Sequence, residues 1–169
     1  MNSILASNAL RFLGILLFQV LVLNHIELHG FISPFIYPLA LLMLPLDTPR
    51  WLLMIIGLFT GLFVDIFAST PGLHASACVF LGYIRPIITN LNRPPGDYET
   101  SHQPNIESLG VNWFLIYAAI AISFHHTFYF FVEVYSFSYF FSTIIRIIGS
   151  VIFSVILMML YQYFFYGRR

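Results

Sequence analysis

The chain has 169 residues, of which 59% are hydrophobic and 8% charged, and its seven basic and seven acidic side chains cancel. So few ionic groups cannot solvate the surface of a soluble domain of this length, and a balanced charge offers nucleic acid no basic face. A membrane protein is expected. The hydrocarbon layer is about 30 Å thick and an α-helix rises about 1.5 Å per residue, so one crossing takes roughly 20 apolar residues and the chain allows about six. Its apolar runs are too continuous for the alternation of a membrane barrel, which predicts an all-α fold: a single domain, residues 1 to 169, built as a bundle of six transmembrane helices.

In chain order the first crossing is read at 9–27, too long an apolar run for a cleaved signal peptide. The second, at 31–46, is short and carries Pro34, Pro38 and Pro45. Each proline removes a backbone donor, so a bent or tilted span is expected there, with Pro34 and Pro38 near its first turns. The third is read at 51–67 and the fourth at 72–91. A polar, proline-containing connector at 92–110 follows, expected to be a loop. The last two crossings are read at 111–135 and 139–165.

Every basic residue is an arginine. With both termini cytoplasmic, Arg11, Arg50, Arg93, Arg168 and Arg169 lie in or beside cytoplasmic segments, while the opposite connections hold Glu27, His29 and Glu133. That asymmetry satisfies the positive-inside rule. Trp51 and Trp113 begin the third and fifth crossings from the cytoplasmic side, where indole favours the interface.

The most informative residues are Gly57, Gly61 and Asp65. Spaced by four, they share one face of the third helix. Small residues let another backbone approach closely, either within the bundle or from a partner protein. Gly72 and Gly82 extend the same small-residue pattern. An acid at membrane depth needs a partner, and Arg146, at matching depth on the last helix, is the candidate; the alternative for Arg146 is to extend to the outer interface. Arg85 is expected to turn its guanidinium to the inner headgroups.

Six histidines invite a metal hypothesis, but no His-Glu-x-x-His motif occurs. His125 and His126, adjacent on one helix, point about 100° apart and cannot share one mononuclear site without distortion. A buried histidine bonded to a neighbour is the expected state, and His25 and His29 flank Glu27 at an interface. Cys78 has no second cysteine to pair with. Neither a Gly-x-Ser-x-Gly elbow nor a glycine-rich phosphate loop is present, so no catalytic, cofactor or metal residue is named.

The pattern Gly57-x-x-x-Gly61-x-x-x-Asp65, followed by Gly72-Leu73, Ala75 and Gly82-Tyr83, resembles the MreD family of rod shape-determining membrane proteins. Leu42-Met43-Leu44-Pro45 and Arg50 are similar to that family's stretch between second and third helices. The resemblance implies a non-enzymatic scaffold of the bacterial cytoplasmic membrane that binds MreC and, through it, RodA and its class B penicillin-binding protein, with MreB on the cytoplasmic side. It also implies a fold similar to the substrate-binding S-components of energy-coupling-factor transporters. The alternative function is such an S-component, with Glu27, Asp65, Glu133 and Arg146 lining an outward pocket.

Overall fold

The structure is a computed structural model that describes residues 2–26, 32–92, 103–136 and 139–167, with side chains from residue 10 onward. Among these residues the fold is helical: α1 (Asn2–Leu21), a 3-10 turn (Leu23–His25), α2 (Pro38–Leu42), α3 (Arg50–Ala68), α4 (Leu73–Leu91), α5 (Ile106–Leu109), α6 (Val111–Val134) and α7 (Phe140–Tyr166). Three of these, α3, α6 and α7, are long and apolar enough to cross a membrane. Their outward faces are apolar too, with Phe59, Ile66, Phe141, Ile145 and Phe164 among the most exposed side chains, as expected of a body whose solvent is lipid.

The second predicted crossing is the main departure. Instead of a helix over 31–46, residues 33–36 are non-helical and only Pro38–Leu42 coils, with Pro38 in its first turn. Proline there has a preset φ and no N–H to lose, so it starts a helix well and cannot continue one from upstream. The first crossing is displaced as well, since α1 ends at Leu21 and gives way to the 3-10 turn. Within the 92–110 connector, Asn105 and Ser108 form a capping box around α5, and the Ile106 amide donates to Gln162 Oε1 at 3.3 Å, which ties the segment to α7. Residues 93–102, with Arg93 and the proline run, lie outside the described residues.

Helices α3 and α4 form the tightest pair. A Cβ added to Gly57 would lie 2.7 Å from the Cys78 carbonyl oxygen, one on Gly61 2.3 Å from Ala75 Cα, and one on Gly82 2.8 Å from the Leu53 carbonyl oxygen. All three meet backbone, so no side-chain rearrangement relieves the clash. The glycine face is therefore filled from within the chain by α4. Close approach also brings carbonyl and Cα groups of the two helices into contact, the packing that substitutes for hydrophobic association in lipid.

The turn joining these helices is built by Asp65. Ser69 (φ 55°) and Gly72 (φ 84°) adopt left-handed backbone, which reverses the chain within four residues. Asp65 Oδ1 accepts from Thr70 Oγ1 at 2.5 Å and from the His74 amide at 3.0 Å, while Oδ2 accepts from the Ala75 amide at 2.9 Å. The carboxylate thus satisfies amides in the first turn of α4, where the helix dipole also favours negative charge. Gly14, by contrast, has nothing within 4 Å of an added Cβ.

This contrast gives a paired expectation for thermal denaturation in detergent. Gly61→Ala should cost about 2 kcal/mol or more, because a backbone contact must open. Gly14→Ala should be neutral or slightly stabilising, since alanine is the better helix former. Equal midpoints for the two variants would contradict the seam.

Candidate functional site: a polar network around a broken segment

Residues 33–45 run through the interior with most of their backbone outside regular helix, and side chains from several helices supply the missing bonds. The Ser33 amide donates to Ser150 Oγ (3.1 Å) and the Phe35 amide to Ser154 Oγ (2.9 Å), both on α7. Gln19 of α1 is fully buried. Its Oε1 accepts from the amides of Ile36 (2.7 Å) and Tyr37 (3.3 Å), and its Nε2 donates to the Pro34 carbonyl (3.2 Å) and to Asn24 Oδ1 (2.9 Å). One amide side chain therefore pairs the two amides just ahead of α2 and a carbonyl of the segment before it.

At the other end of α2 the orphaned carbonyls are met by Arg85. Its guanidinium donates to the carbonyls of Leu42 (3.2 Å), Leu44 and Pro45 (3.3 Å), and its Nε donates to Tyr117 Oη (2.7 Å). Tyr117 in turn donates to the Leu42 carbonyl at 3.2 Å. Arg85 is 1% exposed. The expectation that it reaches the inner headgroups is therefore corrected: carbonyls freed at the end of a short helix offer a cation nearer and better-aligned acceptors than the interface does.

Between these two braces lies a continuous chain of aromatic polar groups. Tyr37 Oη is 2.9 Å from both His74 Nδ1 and His125 Nε2. His125 Nδ1 lies 3.4 Å from His126 Nδ1, and His126 Nε2 3.2 Å from Ser154 Oγ. At the opposite end Tyr129 Oη stands 3.5 Å from His74 Nε2. Each imidazole can donate from one nitrogen and accept at the other, so the chain closes in either direction with all three rings uncharged. His125 and His126 are hydrogen-bonded to neighbours as expected. The Phe35 ring packs against His74 and Tyr129 at centroid distances of 5.1 and 5.0 Å.

The predicted ion pair between Asp65 and Arg146 is corrected. Arg146 donates to Glu133 Oε2 at 2.5 Å and lies over the Phe130 ring, 4.4 Å from its centroid. Asp65 is spent on Thr70, His74 and Ala75, all within ten residues of it in the chain. Local amides need no long side chain held in place, and the cation has its own acid near the end of α6. Extension of Arg146 to the interface is superseded by the same pair. Of the two tryptophans, Trp51 is 63% exposed at the start of α3, but Trp113 is 8% exposed, stacked on Tyr117 and donating from Nε1 to the Asn92 carbonyl at 2.5 Å. Trp113 thus begins α6 as expected, but packs inward against the chain. Glu27 and His29 lie outside the described residues.

Sequence reading passed over Gln19, Tyr37, His74, Tyr117, Ser150 and Ser154, which carry most of the network. The available signal was their polarity inside apolar runs, with Ser150 and Ser154 one turn apart on α7. A cavity of about 260 Å³ opens beside the network at the end of the bundle where α3 gives way to α4, bounded by Asn24, Phe35, His74, Tyr129, Glu133 and Arg146 among others. No cluster of three or more His, Cys, Asp or Glu side chains among the described residues is arranged to hold a metal ion. Comparison with family models, curated proteins and solved structures finds no match to this chain.

The two acid assignments separate in a charge-swap experiment read by thermal stability. Arg146→Glu alone should destabilise, and adding Glu133→Arg should restore much of the loss; adding Asp65→Arg should restore none. Arg85→Met leaves carbonyls of the broken segment unpaired and should cost about 2 to 3 kcal/mol. A midpoint unchanged by Arg85→Met would mean that water reaches those carbonyls.

Proposed function

We propose that the chain is a non-enzymatic scaffold of the bacterial cell-elongation complex, set in the cytoplasmic membrane as six crossings with both termini inside. In this reading it binds MreC and, through MreC, RodA and the class B penicillin-binding synthase, with MreB on the cytoplasmic side. The same reading carries the fold expectation, a bundle like that of the energy-coupling-factor S-components. The observation that carries the proposal is the use made of Gly57, Gly61, Asp65, Gly72 and Gly82. The residues on which the resemblance to MreD rests build one joint, in which α4 lies directly on α3 and Asp65 caps its first turn. A motif whose side chains are absorbed in architecture suits a scaffold, whose output is the shape of its outer faces.

Partner binding then belongs to outward-facing side chains and not to the glycine face. The exposed row Ile55, Phe59, Leu62 and Ile66 on α3 is one such face.

The test is co-purification of the full chain with a single-span membrane protein bearing an extracytoplasmic coiled coil, encoded beside it. Stoichiometric recovery from detergent is expected. Gly61→Leu should weaken recovery only in proportion to its loss of folded protein, whereas an outward-face change such as Phe59→Ala should leave the stability within about 1 kcal/mol of the parent. Failure to recover the coiled-coil protein with a well-folded chain would refute the scaffold reading.

A further inference from the structure

The end of the bundle where α3 begins and α7 stops holds a cavity of about 200 Å³, bordered by α1, by α2 and the residues after it, and by Tyr166, the last residue of α7. Phe12, Ile15, Ala40 and Met43 are among its apolar lining residues, and Arg11, Gln103 and Tyr166 are its polar ones. The two kinds are ordered by depth. Asn24, just beyond α1, borders the cavity at the opposite end of the bundle, so Ile15 lies one helical turn further into the bundle than Arg11. Trp51, exposed at the start of α3, marks this end as the level of an interface.

Arg11 is held in place without being neutralised. Its Nη1 donates to Tyr166 Oη at 2.9 Å, and its guanidinium carbon lies 5.1 Å from the centre of the same ring. Among the described residues no carboxylate pairs with it, and none lines the cavity. Its other nitrogens are not among the sealed donors of the chain, so they keep access to the surroundings. The Tyr166 hydroxyl accepts from Arg11 and has no acceptor of its own among the described residues. The polar end thus offers N–H and O–H donors beside one uncompensated positive charge, which is the complement of a phosphate. A headgroup ammonium would find no acid there to meet it, so a phosphate without an attached amine fits best.

We propose that this cavity binds one anionic phospholipid, with its phosphate on Arg11 and Tyr166 and part of an acyl chain laid against Phe12, Ile15 and Ala40. A volume of about 200 Å³ takes part of one chain and leaves the remainder of the lipid in the bilayer. Arg11 belongs to α1 and Tyr166 to α7, so the bound lipid ties together the first and last helices of the bundle. The site goes beyond the scaffold reading and requires only that the bundle sits in lipid: a scaffold without this lipid, or a lipid-binding bundle without MreC, would each leave the other statement intact.

The experiment uses the full chain purified in dodecyl maltoside, with phosphatidylglycerol or phosphatidylcholine added to the micelles. Phosphatidylglycerol should raise the thermal midpoint by about 3 °C more than phosphatidylcholine does, and native mass spectrometry should retain it on the chain. Arg11→Gln keeps a donor for Tyr166 and removes the charge, and should abolish the difference between the lipids. Tyr166→Phe keeps the ring and removes the hydroxyl, and should reduce it; if Arg11→Gln folds poorly, this variant and the lipid pair still decide. Arg50→Gln removes a cation at the same end that stacks on Tyr83 instead, and should leave the difference intact. Equal stabilisation by the two lipids, or a preference that survives Arg11→Gln, would overturn the proposal. So would a preference lost equally in Arg50→Gln, which would mean diffuse attraction to the membrane surface, or inorganic phosphate stabilising as well as the lipid, which would make the cavity a free-anion site.

Discussion

Non-helical backbone inside a bundle surrounded by lipid has no water to bond, and the whole arrangement follows from how residues 33–45 meet that constraint. Their amides are taken by Gln19 from α1 and by Ser150 and Ser154 from α7, and their carbonyls by Arg85 from α4. Three helices distant in sequence are thereby held to one irregular strand of chain. An unpaired buried amide costs about 1 to 3 kcal/mol, so even a few such bonds are comparable with the net stability of a domain. The segment is short and proline-rich, yet it fixes where α1, α4 and α7 stand.

A second, separate device joins α3 to α4. Glycine on both helices removes the side chains that would hold the axes apart, and Asp65 turns an otherwise costly intramembrane acid into the cap of the following helix. The result is a pair in which charge and packing reinforce each other. The acid is satisfied because the helices are close, and the turn that brings them close is closed by the acid.

Much of this was legible before any coordinates. The four-residue spacing of Gly57, Gly61 and Asp65 predicts a shared face, and that face is where α4 packs. The prolines of the second segment predict an irregular crossing, and irregularity is what residues 33–36 show. What the spacing could not supply is competition among partners. Asp65 at matching depth with Arg146 looks like an ion pair until Thr70 and the amides of His74 and Ala75, only five to ten residues away, are counted. Arg85 resembles a headgroup anchor until α2 ends at Leu42 and leaves carbonyls beside it. His74 gave no sign of importance, since its role depends on Tyr37 and His125 arriving from other parts of the chain. Each miss has one origin: a polar side chain goes to whichever partner the tertiary arrangement frees, and periodicity describes a single helix at a time.

The bonds of Asp65 also bear on how such a chain enters the bilayer. Its acceptors are filled by groups within ten residues, on the hairpin that α3 and α4 make together, so the carboxylate can be shielded before any later helix has been synthesised. The Tyr37–His74–His125–His126–Ser154 chain differs in needing contributions from α4, α6 and α7. Masking of the acid in the α3–α4 hairpin would therefore precede locking of the interior, which must wait for α7 to be made.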